Sequence, residues 1–164
     1  MKKLAIFAAV TTALVGVQAA SAATFAPAPS GPHVFSGPVS VQKDGLVYNC
    51  TLTVTANVTS SSTATATASL SGGFPCGLIS VTGTGNITHD GSDWGISGLT
   101  IDPPISSGTC TGRIKFAWGG NTGTRTITLS TPYSDSSATS GNPCKMAGTL
   151  TNTSPVPNTV TMTP

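Results

Sequence analysis

The chain has 164 residues, of which only 7% are charged and 5% aromatic, and a formal net charge of +2. Two of its seven positive charges are Lys2 and Lys3; beyond residue 22, Lys43, Arg113, Lys115, Arg125 and Lys145 balance Asp44, Asp90, Asp93, Asp102 and Asp135, and there is no glutamate. A stretch of zero net charge lacks the basic footprint that nucleic-acid binding requires, and its length suits one domain with a single core.

Lys2 and Lys3 precede an apolar run from Leu4 to Val17, which ends in Gln18-Ala19-Ala20-Ser21-Ala22. The run is about 14 residues, too short to span a bilayer, and Ala20-Ser21-Ala22 is a small-x-small cleavage signal. The reading is a secretory signal peptide over residues 1–22, cut between Ala22 and Ala23. The first cysteine is Cys50, far from the cut, so a lipid anchor at the new N-terminus is not expected and the product should be exported and soluble. Residues 23–33 read as an extended arm carrying Pro27, Pro29 and Pro32, and residues 34–164 as one all-β domain with a terminal strand.

Strand patterns then follow one another. Val34 to Val41 is the first. From Leu46 the even positions Leu46, Tyr48, Cys50, Leu52, Val54, Ala56 and Val58 form one face, and Asn49, Thr51, Thr53, Thr55 and Thr59 the other. This period of two fits a half-buried strand and no helix. After Ser60-Ser61-Ser62 it resumes as Ala64, Ala66, Ala68 and Leu70 against Thr63, Thr65, Thr67 and Ser69, which predicts a hairpin. Further strands are expected at Leu78 to Thr84, Trp94 to Ile101, Arg113 to Trp118, Thr124 to Ser130, Met146 to Thr151 and Thr159 to Thr163. Glycine, proline and Asx pairs separate them, as at Gly72-Gly73, Asp90-Gly91 and Pro103-Pro104. The expected fold is a single all-β sandwich of roughly 7 to 9 strands with Ig-like or Greek-key connections.

The hairpin over residues 51–70 carries no charge, and a slip of two residues along Thr-Ala-Thr-Ala-Thr-Ala changes almost nothing, so its side chains specify register weakly. Such a strand lacks the usual protection against edge pairing, which opens a route to strand addition between molecules. An ice-binding threonine ladder would need Thr-x-Thr at a constant repeat; the sites, those at 51, 53, 63, 65, 82, 126 and 161 among them, follow none.

Cys50, Cys76, Cys110 and Cys144 are even in number and fit an oxidising compartment. Their spacings of 26, 34 and 34 residues contain no Cys-x-x-Cys pair, which argues for two disulfides over a metal site. Three connectivities are open; Cys50 to Cys76 with Cys110 to Cys144 is preferred because each would close across neighbouring strands.

The blocks "CTLTVTANV", "LSGGFPCGLISVTG", "SGTCTGRIKFAW" and "CKMAGTLTNTSP" together resemble the secreted bacterial proteins called protein activator of alkane oxidation, the PraB family. The resemblance covers most of the chain beyond the signal peptide. It implies an extracellular or cell-surface protein that assists growth on alkanes, by surfactant-like action and as part of the biofilm matrix, with no catalytic residues to carry over. Family members place an aromatic soon after the "CGLI" block, whereas "TGTGNITHDGSDW" delays Trp94 here, so residues 83–105 depart from the pattern.

Chemistry sought directly points the same way. No Gly-x-Ser-x-Gly elbow, zinc helix, phosphate loop or glutamate for a glycosidase pair is present, so no enzyme and no cofactor is expected. His89-Asp90-Gly91-Ser92-Asp93 could offer carboxylates and an imidazole to a cation, but it reads better as an exposed turn. His33 reads as a solvated arm residue. Phe116 and Trp118 share a strand face with Ile114, a core pattern; exposed beside Phe74 they would instead form an apolar patch for hydrocarbon or a partner subunit. The expected function is a secreted, non-enzymatic accessory protein of the bacterial surface or matrix. The alternative is a self-assembling subunit of a surface fibre, in which the terminal strand or the proline-rich arm with Val34 to Val41 completes a neighbour's sheet. Expected partners are itself or a hydrophobic interface, with no nucleic acid and no membrane-spanning segment after cleavage.

Overall fold

The computed structural model describes residues 22–104, 106, 108–133, 144–155 and 159–164. The signal peptide lies outside these residues except for Ala22, which is exposed; Ala23 is partly buried.

The core of the structure is a closed sheet of eight antiparallel strands: β2 (Ser30–Lys43), β3 (Leu46–Ser60), β4 (Thr63–Ser71), β6 (Gly85–His89), β7 (Trp94–Ser97), β9 (Arg113–Trp118), β10 (Thr126–Tyr133) and β11 (Cys144–Ser154). Each is hydrogen-bonded to the next in this order, and β11 pairs back onto β2. The expected sandwich with Greek-key connections is therefore replaced by an up-and-down barrel. The physical reason is continuity: β9 pairs with both β7 and β10, so the sheet never splits into two layers.

The period of two places every second residue inside. Phe35, Val39 and Val41 from β2, Leu52, Val54, Ala56 and Val58 from β3, Ala64 and Ala66 from β4, Ile87, Ile96, Ile114 and Phe116 from β6, β7 and β9, and Ile127, Leu129, Met146 and Leu150 from β10 and β11 are all buried. β2 and β3 meet in a two-residue turn at Asp44-Gly45, with φ of 51° and 79°. Both angles lie in the left-handed region, as a type I′ hairpin demands, and the turn sets the register from Lys43 opposite Leu46 onward. That register answers the ambiguity of the threonine-alanine repeat: β4 follows β3 with Leu52 opposite Leu70.

Two small sheets lie outside the barrel and add apolar residues to its two halves. β1 (Thr24–Ala26) pairs with β12 (Thr161–Thr163), carrying buried Phe25 and Met162 against Phe35, Val58 and Ile87. β5 (Ser80–Thr82) pairs with β8 (Thr100–Asp102), bringing Val81, Leu99 and Ile101 against Leu52, Leu129 and Met146. The expected strand from Trp94 to Ile101 is thus two strands, broken at Gly98 with φ of 96°. β1 and β6 were not expected; a three-residue strand and the glycine-flanked "GNITH" give too short a pattern to read. The arm and the terminal strand, candidates for completing a neighbour, pair here with each other.

The C-terminal strand is held by polar contacts of the β9–β10 loop. Asn121 accepts from the Met162 N–H at 2.9 Å and donates to its carbonyl at 3.2 Å, while buried Arg125 donates through Nε to the Val160 carbonyl at 3.1 Å. Two disulfides complete the staple, Cys50 to Cys76 and Cys110 to Cys144, with Cα separations of 5.5 and 6.0 Å. Each bridge of this kind contributes about 2 to 4 kcal/mol.

Barrel closure depends on a close approach between β2 and β11. A Cβ on Gly37 would stand 2.2 Å from the Thr149 carbonyl oxygen, a backbone atom that cannot step aside. Gly37→Ala should therefore lower the unfolding free energy by about 1 to 3 kcal/mol. Gly73→Ala, where a Cβ meets nothing within 4 Å, should change it by less than about 0.5 kcal/mol. Urea unfolding of the two variants makes the comparison, and equal midpoints would contradict this view of the β2–β11 seam.

Candidate functional site: an apolar rim on a filled barrel

Among the described residues, the barrel interior is closely filled by side chains. Two apolar spaces among the described residues measure about 20 and 10 Å³, the larger lined by Phe25, Phe35, Val58, Phe116 and Met162 among others, the smaller by Leu52, Ile114 and Leu150 among others. A space of this size holds about one water molecule, so an alkane has no place among these side chains. Small eight-stranded barrels either fill with side chains or hold one small ligand, and this one is filled. His33, expected as a solvated arm residue, is 3% exposed and lines the larger space, with Nε2 2.9 Å from the Ser30 hydroxyl. The correction follows from β2 starting at Ser30, which brings His33 onto the inner face.

The outside of the barrel divides into two kinds of surface. Across β10, β11, β2, β3 and β4 the ladder registers align Thr126, Thr151, Ser36, Thr53 and Ser69 in one row of hydroxyls. Ser36 and Thr53 share a hydrogen bond of 3.0 Å, as do Thr128 and Thr149 at 3.3 Å. With apolar residues inside and hydroxyls outside, this barrel reverses the arrangement of one that spans a lipid bilayer. No helix among the described residues is long and apolar enough to cross a membrane.

The opposite wall holds the ion pairs, while Lys145 is exposed on β11 of the hydroxyl wall. Asp90 accepts from the backbone N–H of Asp93 at 2.8 Å and of Ser92 at 3.1 Å, and from the Ser92 hydroxyl at 2.9 Å. These bonds, the Asp93 N–H first, hold its carboxyl well below the usual carboxylate range, with a smaller contribution from the Arg113 guanidinium that pairs with it. Lys115 pairs with Asp93 at 3.1 Å, and the Gly91 N–H donates to His89 Nδ1 at 3.2 Å. The residues considered for a cation thus build a turn and its ion pairs.

Apolar exposure is concentrated elsewhere. Phe74 is 82% exposed, Leu78 59%, Val47 56% and Leu46 44%. All four lie within four residues of one or other cysteine of the Cys50–Cys76 bridge, which ties the 3₁₀ turn Cys76–Leu78 to β3 where β4 has already ended. These four side chains are the apolar rim: Leu46 and Val47, consecutive in β3 and so on opposite faces, follow the β2–β3 turn, and Phe74 and Leu78 flank Cys76 in the segment bridged to β3. Of the three aromatics considered as an apolar patch, only Phe74 belongs to it. Phe116 is 4% exposed inside the barrel, and Trp118 packs edge-on against Phe35 at 5.9 Å while donating to Asn121. Leu46, expected on the core face by its parity, is exposed because it sits past the last covered rung of β3. Beside the rim Tyr48 is buried, its hydroxyl without a hydrogen-bond partner among the described residues; burial first and the Asp44 charge second raise its pKa.

The profile of the alkane oxidation protein activator PraA/PraB-like proteins matches residues 1–164. The chain belongs to this family. No curated protein and no solved structure matches the chain. For this member of the PraA/PraB-like family, the family description names an activator of alkane oxidation, and the geometry adds a filled barrel with a hydroxyl-rich wall, a wall of ion pairs and exposed apolar side chains.

The Asp90 turn makes its own prediction. A carboxyl whose folded pKa lies below its unfolded value near 4 adds stability above that value and loses it as pH falls through and below it. Wild type should exceed Asp90→Asn in urea midpoint at pH 7, and the gap should shrink steadily between about pH 4 and pH 2. A gap independent of pH would show that charge on Asp90 does not hold the turn.

Proposed function

We propose that this protein is a secreted, non-enzymatic accessory of alkane oxidation that acts at the hydrocarbon–water boundary outside the cell. Export is supported by the Lys2-Lys3 signal sequence with its Ala20-Ser21-Ala22 site, and by four cysteines paired as two bridges. The family description supplies the link to alkane oxidation.

The observation that carries the reading is the pairing of a filled interior with an exposed apolar rim. A protein that carried alkanes inside would need a lumen, and the spaces here are about 20 and 10 Å³. Contact with hydrocarbon is then left to the surface. Phe74, Leu78, Val47 and Leu46 offer apolar side chains on a part of the fold stiffened by a disulfide, so little conformational freedom is lost on contact. Transfer of such side chains from water into oil is favourable at roughly 25 cal/mol per Å². The hydroxyl-rich wall remains wetted, and zero net charge after residue 22 lets copies crowd at a droplet without mutual repulsion.

Pendant-drop tensiometry with hexadecane tests this. The oxidised protein from Ala23 onward should lower the interfacial tension, and Phe74→Ser combined with Leu78→Ser should slow and weaken the effect severalfold while leaving the thermal midpoint within a few degrees. Undiminished tension lowering by that double variant would refute the rim as the contact surface.

A further inference from the structure

Arg125 is a charge that the fold buries without a counter-charge. It immediately precedes β10, is only 7% exposed, and lies beside the segment that enters β12. A guanidinium has five N–H donors and does not lose its charge in a protein. Here Nε donates to the Val160 carbonyl at 3.1 Å and Nη1 to the Gly123 carbonyl at 2.7 Å. Both acceptors are neutral, and the other three N–H groups, both of those on Nη2 among them, have no acceptor among the described residues. The ion pairs found there join Arg113 to Asp90 and Lys115 to Asp93, and neither reaches Arg125.

Holding two carbonyls does not call for a cation. A neutral amide would do so with a smaller desolvation penalty, because a buried charge is costly unless it is paired. The loop beside the guanidinium is built to receive a partner for that charge. Asn121 fixes it to β12 through the Met162 N–H and carbonyl, and accepts from Trp118 Nε1 at 2.8 Å. Gly120 and Gly123 lie in the left-handed region, with φ of 102° and 65°, and the N–H groups of residues 120–124 donate to nothing among the described residues. Unspent amides next to a fixed cation are the parts of an anion site.

We propose that Arg125 and the loop from Gly119 to Thr124 bind a carboxylate, and that its source is an alkanoate. One carboxylate neutralises one guanidinium, and its two coplanar oxygens match the planar fork of N–H groups. A phosphate would bring close to two negative charges and leave the excess against the Val160 and Gly123 carbonyls. The choice of an alkanoate rests on the reading of the protein as an accessory of alkane oxidation: full oxidation of a terminal carbon gives a carboxylic acid, which is ionised at neutral pH. Trp118, half-buried at the other root of the same loop, gives the first carbons of the tail an apolar surface. The filled interior keeps the rest of the tail outside.

Nitrogen-15 NMR of the oxidised protein from Ala23 onward, in oil-free buffer at constant ionic strength, tests this at the Arg125 Nε–H and the amides of residues 119–124. Sodium octanoate should shift them saturably with a dissociation constant of about 1 mM or tighter, and 1-octanol, which has the tail without the charge, should not. Acetate should move the same resonances at higher concentration; acetate binding as tightly as octanoate overturns the alkanoate as the source. Arg125→Lys keeps the charge but loses the fork and should weaken octanoate at least tenfold. Thr124→Glu, an exposed change beside the guanidinium, supplies a competing carboxylate and should weaken octanoate as much with no fall in thermal midpoint; it decides the matter if the lysine variant fails to fold. Inorganic phosphate binding more tightly than octanoate overturns the proposal, and so do octanoate shifts confined to the amides of Leu46, Val47 and Leu78, which would leave the rim as the contact surface and Arg125 as a structural clamp.

Discussion

Closure of the sheet is the constraint from which the other features follow. Pairing of β9 with β10 on one side and of β11 with β2 on the other removes two edges that an open sheet would leave, and commits every second side chain to one interior. An eight-stranded closure encloses little more than those side chains fill. Here Phe35, Phe116, Ile114, Ile127 and Leu150 fill it, and the two outer sheets bring Phe25 and Ile101 against them. Closure at β2 is itself tight enough to require a glycine at position 37, against the Thr149 carbonyl.

What the molecule can do is shaped by that filling. A closed and occupied barrel turns recognition outward, where chemistry is sorted by wall: hydroxyls over five adjacent strands, ion pairs around Asp90 and Arg113, and apolar side chains where β3 outruns β4. The Cys50–Cys76 bridge holds the 3₁₀ turn against that overhang, so the rim belongs to the framework and not to a free loop. Membership in the PraA/PraB-like family connects the protein to alkane oxidation.

The period of two, the turn residues and the Arg113–Trp118 strand were legible because each is local: side-chain alternation and backbone preference are written within a few residues. Closure was not. Whether β9 finds β10 or the sheet splits into two layers depends on twist and stagger accumulated over many strands, and the alternation in Leu52, Val54 and Ala56 is the same for a barrel and a sandwich. The rim escaped for a related reason. Leu46 obeys the core parity of β3, and only the relative lengths of β3 and β4 reveal that nothing covers it. His33 was misread because proline neighbours suggested an arm, whereas the strand begins three residues earlier at Ser30. The core reading of Phe116 rested on its shared face with Ile114, and that face points inward.

The central claim is that hydrocarbon meets this protein on its rim and never enters the barrel. The most direct measurement is methyl NMR of isotope-labelled, oxidised protein titrated with hexane. Shifts confined to the methyl groups of Leu46, Val47 and Leu78 are predicted. Shifts at Val54, Ile96, Ile114 and Ile127, with the rim unchanged, would place the alkane inside and contradict the account.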